Sequence, residues 1–272
     1  MAYDRKILAV GVKKEVMEGA GVLVGRALPQ GRIGLEPVDP FLMLDHFKMP
    51  GMGPGFPEHP HRGFEILTYI RQGHGDHKDN FGNEGRIHAG GLMRLTAGKG
   101  MWHGEGGGTD APNEMIEGLQ FWVNLPKAKK KVDPSFQLAE DKEFPRQSQD
   151  GGKVSVKILV GPGSPIQMMT PMVYLEVTAQ AGAGFHWDIP SDYQGFAYVL
   201  EGSGDFGSDP SGSAEEPADT SGLALVASGQ VAIFGKGSGL AVKNTGKTPL
   251  VFMMAAGTPY REPVIWNGPF VD

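Results

Sequence analysis

Short strand-like runs recur at regular intervals along this chain, and glycine or proline separates them. With 42 glycines and 21 prolines among 272 residues, the chain suits tight turns better than long helices. Short, evenly spaced strands are typical of a sandwich or barrel, so the sequence predicts an all-β fold. The runs occupy residues 21–24, 66–70, 93–96, 119–124, 154–160, 172–177, 196–200, 231–234 and 250–254.

One segment is a candidate domain boundary. Residues 124–137, NLPKAKKKVDPSFQ, combine two prolines with a run of lysines. We therefore predict two β-domains, a metal-binding one at residues 1–130 and a degenerate copy at residues 131–272. Within the second, the small, polar and acidic residues 202–222 are expected to form a mobile insertion.

The two halves also echo each other in sequence. Residues 63–73, GFEILTYIRQG, resemble residues 193–202, YQGFAYVLEG, when their last glycines are aligned. Further along, the tripeptide Gly-Lys-Gly at residues 98–100 recurs at residues 235–237. A duplicated β-domain is the simplest interpretation of these echoes.

Four potential metal ligands arrive as two closely spaced pairs. One proline separates His59 from His61, and one glycine separates His103 from Glu105. In a β-strand, residues i and i+2 point to the same face, so each pair can aim both ligands at one point. Two neighbouring strands can then surround one ion and leave coordination positions open. Isolated histidines at a barrel mouth are the alternative, but two such pairs with glycine-rich flanks favour a metal site.

The chemistry of these ligands limits the ion. The chain has no cysteine, so thiolate ligands, thiolate catalysis and disulfides are excluded. Three imidazoles and one carboxylate suit Fe(II), Mn(II), Ni(II), Cu(II) or Zn(II). The second half keeps only His186 and offers Leu240 and Val242 at the positions of the second pair. A single site, in the first half, is therefore expected.

Composition argues against several classes of partner. The formal net charge of −6 gives no overall attraction to nucleic acid, and the lysines at residues 127–131 are better explained as a solvated linker face. No stretch is apolar for long enough to span a membrane, and the first residues lack the features of a secretory signal. We expect a monomer in the cytoplasm, the nucleus or both.

Residues near the ligand pairs are candidates for a substrate pocket. Met52, Phe56, Met101 and Trp102 could line an apolar pocket for a flat aromatic molecule, although such residues at alternating strand positions more often pack in the core. Arg62 and Lys99 are candidates to steer an anionic substrate, and exposure on the surface is the alternative. The histidines at positions 46, 74, 77 and 88 are expected to face solvent.

A family resemblance follows from these motifs. The first half resembles the cupin pattern, in which glycine precedes His-x-His and glutamate and glycine follow, here Gly55, His59, His61, Glu65 and Gly73. The second cupin segment departs from the pattern, since residue 98 is glycine where proline is usual. Within the cupins the chain resembles the pirin family. The similar segments are PFLMLDHF, FPEHPHRGFE, AGKGMWHGE, GLQFWVNLP and EPVIWNGPFV.

The resemblance to pirins implies a bicupin, two jelly-roll β-barrels with a non-haem iron in the first. It implies His59, His61, His103 and Glu105 as iron ligands, and it leaves Glu65 outside the coordination sphere, where it could orient an imidazole or a water.

Three functional classes follow. The first is a flavonol dioxygenase of the quercetinase type, which takes a flavonol-like molecule and dioxygen and uses Glu105 as general base. The second is an iron-dependent, redox-sensing co-regulator that binds a transcription factor. The third is a structural protein with an incidental metal, which the open coordination positions disfavour.

Overall fold

A computed structural model describes residues 5–18, 22–29, 31, 34–50, 55–109, 114–207 and 222–272. The described residues form strands, turns and short 3-10 helices and contain no α-helix, so the predicted all-β class is confirmed. The 3-10 helices are Glu36–Val38, Lys127–Lys129, Asp141–Glu143 and Asp150–Gly152. Among these residues no helix is long and apolar enough to cross a membrane.

The strands are numbered in chain order. Those of the first half are β1 Ile7–Val12, β2 Lys14–Glu18, β3 Val22–Leu28, β4 Phe41–Pro50, β5 Phe56–His61, β6 Phe64–Gln72, β7 His74–Asp79, β8 Glu84–His88, β9 Leu92–Thr96, β10 Met101–Gly108, β11 Met115–Asn124 and β12 Ser135–Ala139. Those of the second half are β13 Arg146–Gln149, β14 Val154–Val160, β15 Met172–Ala179, β16 Gly184–Asp188, β17 Gln194–Glu201, β18 Ser203–Phe206, β19 Ala224–Ala227, β20 Gln230–Phe234, β21 Gly239–Lys243, β22 Leu250–Gly257, β23 Trp266–Asn267 and β24 Phe270–Val271.

Each half is a barrel made of a large and a small antiparallel sheet. In the first half the large sheet has the order β12-β9-β6-β11-β4-β3-β2 and the small sheet the order β5-β10-β7-β8. In the second half the corresponding orders are β1-β20-β17-β22-β15-β14-β13 and β16-β21-β18-β19. Both barrels thus repeat one plan, as the internal echoes of the sequence predicted, and the jelly-roll architecture is confirmed.

The two barrels pack through their large sheets. Leu67, Tyr69 and Phe121 of the first half share one buried core with Tyr174 and Phe196 of the second. On β6, Leu67 and Tyr69 face this interface, while Ile66 and Ile70 alternate with them and face the barrel interior. A strand buried on both faces reads as a nearly continuous apolar run, which explains the sequence of β6.

The halves exchange terminal segments. β1 pairs with β20 and so belongs to the large sheet of the second half, whereas β12 pairs with β9 in the first. At the other end, β23 and β24 form a small hairpin, and Phe270 bridges to Arg62 in the first half. Strand membership therefore does not follow a single division of the chain at residues 130 and 131.

The insertion predicted at residues 202–222 begins inside the sheet, because Ser203–Phe206 form β18, which pairs with β19. These strands pair from Ser203 with Ala227 to Phe206 with Ala224. Residues 208–221 of the insertion are outside the described part of the chain.

Candidate metal centre

Two paired strands bring three histidines together. His59 and His61 lie two residues apart on β5, and His103 lies on β10 directly opposite His59. The ring centroid of His103 is 4.5 Å from that of His59 and 5.1 Å from that of His61. One ring nitrogen from each of the three falls within 4.8 Å of the others, a spacing that can hold a metal ion.

The environment keeps two of these imidazoles neutral. His61 and His103 are buried, and burial, together with the neighbouring histidines, lowers the pKa of His61 to about 3. Burial and the adjacent His59 likewise hold the pKa of His103 well below its ordinary value. Neutral imidazole is the form that binds a metal, so protons do not compete at these two positions near neutral pH.

His103 differs from His59 and His61 because both of its ring nitrogens lack a hydrogen-bond partner among the described residues. Its side chain is fully buried. A buried polar atom without a partner is costly and calls for an explanation such as a bound ion. A metal on His103 supplies one, so the residues present fit a metal centre.

Backbone carbonyls fix the other two rings. His59 donates a hydrogen bond from Nδ1 to the carbonyl of Pro57 at 2.7 Å, and His61 donates from Nδ1 to the carbonyl of Pro269 at 3.3 Å. A carbonyl oxygen only accepts, so the proton resides on Nδ1 and leaves Nε2 free for a metal. Pro269 lies in the C-terminal hairpin, 208 residues from His61 in sequence.

Glu105 lies in the same barrel interior but is held by other side chains. Thr68 donates to Oε1 at 3.0 Å, and the amide of Gln120 donates to Oε2 at 2.6 Å. A β-bulge between His103 and Glu105 shifts the register with β5, so Glu105 pairs with Phe56. The group with converging ligand atoms consists of the three histidines. Glu105 as a fourth ligand stays a prediction.

A cavity of about 480 Å³ opens over His59 and His61. Its lining is mostly apolar, and Gln120 and Asp45 add polar groups. A volume of this size suits a small organic molecule. The lining residues are Glu18, Val24, Met43, Asp45, Phe47, Phe56, Pro57, Glu58, His59, His61, Gln120, Trp122, Gly268 and Pro269.

The predicted pocket residues are corrected in part. Phe56 lines the cavity, but Met101 is buried in the core beside Phe64 and Trp122, and Trp102 points outward with half of its surface exposed. Consecutive residues of a strand point to opposite faces, so the neighbours Met101 and Trp102 could not both face the same cavity. Met52 lies outside the described residues.

The prediction that Glu65 orients an imidazole or a water beside the metal is wrong. Its carboxylate accepts hydrogen bonds from Thr96 Oγ1 at 2.8 Å and from the backbone amide of Met169 at 3.0 Å. Met169 precedes β15 of the second half, so Glu65 faces the contact between the barrels. Burial raises the pKa of this carboxyl.

His77 was expected at the surface but is buried beside the site. Its ring centroid is 5.4 Å from that of His103, and Nε2 lies 3.3 Å from Asp79 Oδ2. On β7, positions 75, 77 and 79 are buried and the residues between them are more exposed. The sequence HGDHKD has no apolar residue, so its pattern gave no signal that His77 and Asp79 lie inside the barrel.

The two cationic candidates pair with carboxylates outside the cavity. Arg62 pairs with Asp272 at 2.6 Å and lies over the ring of Phe270, and Lys99 pairs with Asp133 at 2.6 Å. Neither lines the cavity over the histidines.

The second barrel has an apolar interior. Leu240, Val242 and Phe185 are fully buried there, and His186 is partly exposed. Among the described residues, the three histidines of the first barrel are the group that can hold a metal.

The pattern of two pirin-type halves decides the family. The Pirin family profile matches residues 21–123, and that of the Pirin C-terminal cupin domain matches residues 174–272. The chain belongs to the pirin family. The bicupin organisation implied by its motifs is thereby confirmed.

Curated relatives of this pirin cover nearly all of its length. A pirin-like protein of Solanum lycopersicum is 40% identical over 261 residues, which cover 93% of this chain and 82% of the relative. Pirin of Homo sapiens is 36% identical over 276 residues, which cover 100% of this chain and 89% of the human protein.

Solved structures share the whole fold of this pirin. A quercetin 2,3-dioxygenase from Acinetobacter baumannii superposes with a TM-score of 0.83 at 26% identity, covering 98% of this chain and 92% of that enzyme. A bacterial pirin from Escherichia coli, solved in complex with nickel(II), superposes with a TM-score of 0.66 at 17% identity, covering 92% and 100%. At 17% identity the likeness shows the fold alone.

Proposed function

We propose that this pirin is a metal-dependent dioxygenase that cleaves a flavonol-like aromatic molecule with dioxygen. The observation that carries the proposal is the convergence of ligand nitrogens from three histidines, two of which, His59 and His61, line a largely apolar cavity of about 480 Å³. An apolar cavity over a metal with open coordination positions is an arrangement for catalysis on a small molecule. The likeness to a quercetin 2,3-dioxygenase supports this choice of substrate class.

We propose Fe(II) as the resident ion, held by His59, His61, His103 and Glu105. Nitrogen and oxygen ligands without thiolate suit iron, and they also suit Mn(II), Ni(II), Cu(II) and Zn(II). When bound, an ion with this ligand set supplies a Lewis acid and a redox centre that can bring the substrate and dioxygen together.

Side chains of the cavity, and Glu105, which contacts the cavity residue Gln120, have separate proposed roles. Met43, Phe47 and Trp122 offer apolar contact to a flat ring system and exclude water. Glu105 is the proposed general base for the substrate hydroxyl, because a carboxylate close to a hydroxyl is placed to accept its proton. Thr68 and Gln120 each donate one hydrogen bond to this carboxylate and so fix its direction.

The test is aerobic turnover by the protein loaded separately with each candidate metal. We expect loss of the flavonol absorbance together with consumption of dioxygen, at a rate proportional to metal content, and the largest rate with Fe(II). No oxygen-dependent loss of flavonol with any of the five metals would contradict the proposal.

A second candidate is an iron-dependent co-regulator that binds a transcription factor in the cytoplasm or nucleus. The observation that favours it is the link from His61 to a hairpin that exposes Ile265 and Trp266, with 63% and 42% of their surfaces accessible. Exposed apolar residues so close to a ligand could let a partner sense the metal. The test compares the affinities of the Fe(II) and Fe(III) forms for a nuclear partner, and equal affinities would exclude this role.

A further inference from the structure

The C-terminal hairpin, residues 265–272, packs against residues 61–63. The first of these is His61, a candidate metal ligand. The carbonyl of Pro269 accepts the hydrogen bond from His61 Nδ1. The backbone carbonyl of Arg62 accepts from the amide of Val271 at 2.9 Å. Gly63 lies directly under Val271, so that a β-carbon at position 63 would fall 1.8 Å from the carbonyl oxygen of Val271.

Several independent contacts hold the hairpin in this place. The side chain of Val271 is fully buried in the core of the first barrel. Lys130 donates from Nζ to the carbonyls of Gly63 and Val271, at 3.0 and 3.1 Å. Arg62 pairs with Asp272 and lies 4.9 Å over the ring of Phe270. The hairpin is therefore a fixed part of the first barrel, although it follows the second in sequence.

The hairpin touches both the ligand and the cavity. Gly268 and Pro269 line the cavity over the histidines, and the ring of Trp266 stacks on that of Trp122, another lining residue, with centroids 5.8 Å apart. A hydrogen bond to the second nitrogen of a metal-binding imidazole fixes its tautomer and its direction, and loss of such a bond typically weakens metal binding about 10- to 100-fold.

We propose that the C-terminal hairpin is a positioning element for the metal centre, in which the Pro269 carbonyl holds His61 with its proton on Nδ1 and its Nε2 directed at the ion. The inference rests on the proposed metal centre of the dioxygenase. It does not depend on which substrate is turned over.

The test compares two glycine variants. In Gly63→Ala the new methyl group would collide with the Val271 carbonyl and displace the hairpin. Gly82→Ala is a matched control, because Gly63 and Gly82 have nearly the same backbone angle, φ +89° and +85°, while nothing lies within 4 Å of a β-carbon at position 82. Both variants carry the strain of a positive φ, and only the first disturbs the hairpin.

Two readouts are taken without substrate. The affinity for Ni(II) is measured by competition with a chelator, and the His61 tautomer is read in the metal-free protein by long-range ¹H–¹⁵N correlation. We expect Gly63→Ala to bind Ni(II) about 10- to 100-fold more weakly and to lose the single Nδ1–H signature, while Gly82→Ala matches the wild type. A chain that ends at Val264 is expected to show the same loss if it folds.

The proposal is overturned if folded Gly63→Ala, or the chain ending at Val264, binds Ni(II) as the wild type does. It is also overturned if His61 of the wild type carries its proton on Nε2. If both variants fail to fold, the tautomer of wild-type His61 decides. Absence of flavonol turnover in a wild type that shows these metal effects would refute the proposed function and leave the role of the hairpin standing.

Discussion

His59 and His103 lie directly opposite each other in the antiparallel pairing of β5 and β10, with ring centroids 4.5 Å apart. His61 joins them because it is two residues from His59 and shares its face of the strand. The spacing of the three imidazoles is thus set by strand pairing, which is a more rigid support than a loop.

Replacement of both His59 and His61 by alanine is expected to abolish stoichiometric metal. The double variant leaves His103 as the only histidine of the group, and one imidazole cannot retain the ion through purification. Metal per chain, measured by inductively coupled plasma mass spectrometry, is expected to fall from one equivalent to near zero. His88→Ala is the control, since His88 pairs with Glu140 on the outer surface. Full metal content in the double variant, or two equivalents in the wild type, would refute the assignment.

Glu105→Gln tests the proposed base. The amide keeps the size of the side chain but accepts protons poorly, so turnover per bound metal is expected to fall roughly 10²- to 10⁴-fold. Part of the metal should remain, because the three histidines are unchanged. Rates are normalised to metal content, and Glu84→Gln, which alters an exposed carboxylate, serves as the control. Wild-type turnover at full metal occupancy would eliminate Glu105 as the base.

Lys130 is expected to make the free energy of unfolding increase with pH in the alkaline range. Burial lowers its pKa from 10.5 to about 8, against the smaller opposing effect of Asp272. Between these two values the unfolded chain holds more protons than the folded chain, so the contribution of Lys130 to the free energy of unfolding rises with pH. Below about pH 8 the group is charged in both states, and the cost of burying the charge is fully present.

The measurement is urea unfolding of metal-free wild type and Lys130→Met on both sides of pH 8. We expect the stability of the wild type relative to the variant to increase from neutral pH towards about pH 10. A difference that stays constant over this range would show that Lys130 has the same pKa in both states.

Deletion of residues 208–221 is expected to leave thermal stability and metal content nearly unchanged. β18 and β19 already pair up to Phe206 and Ala224, so a short turn can replace the insertion. The entropic cost of joining two strands depends only weakly on the length of the connection, so a shorter connection should change stability little. Differential scanning calorimetry and metal analysis check the outcome, and a large loss of either would assign the insertion a structural role.

The strand content and the duplicated architecture could be predicted from sequence because period-2 patterns and glycine turns are local signals. The convergence of His59, His61 and His103 followed from the same alternation. Glu65 could not be placed this way. β6 is buried on both faces, so its apolar pattern does not show which face meets the metal and which meets the second barrel.

Local sequence patterns could not predict that residues of the second half contribute to the site. Pro269 acts through a backbone carbonyl, which any residue carries, so its type gives no signal. The cavity residues Met43 and Trp122 lie on β4 and β11 of the large sheet, whereas the ligand pairs lie on the small sheet. Which residues of one sheet face the other depends on how the two sheets pack.

The hydrogen bond between His61 and Pro269 also has a thermodynamic consequence. A ligand that binds only the folded chain stabilises everything that must be folded to bind it. The hairpin that supplies this carbonyl is part of the first barrel, and the two barrels share one buried core, so they are expected to unfold together and the binding energy of the ion stabilises both. Removal of the ion should therefore lower the melting temperature of the second barrel as well.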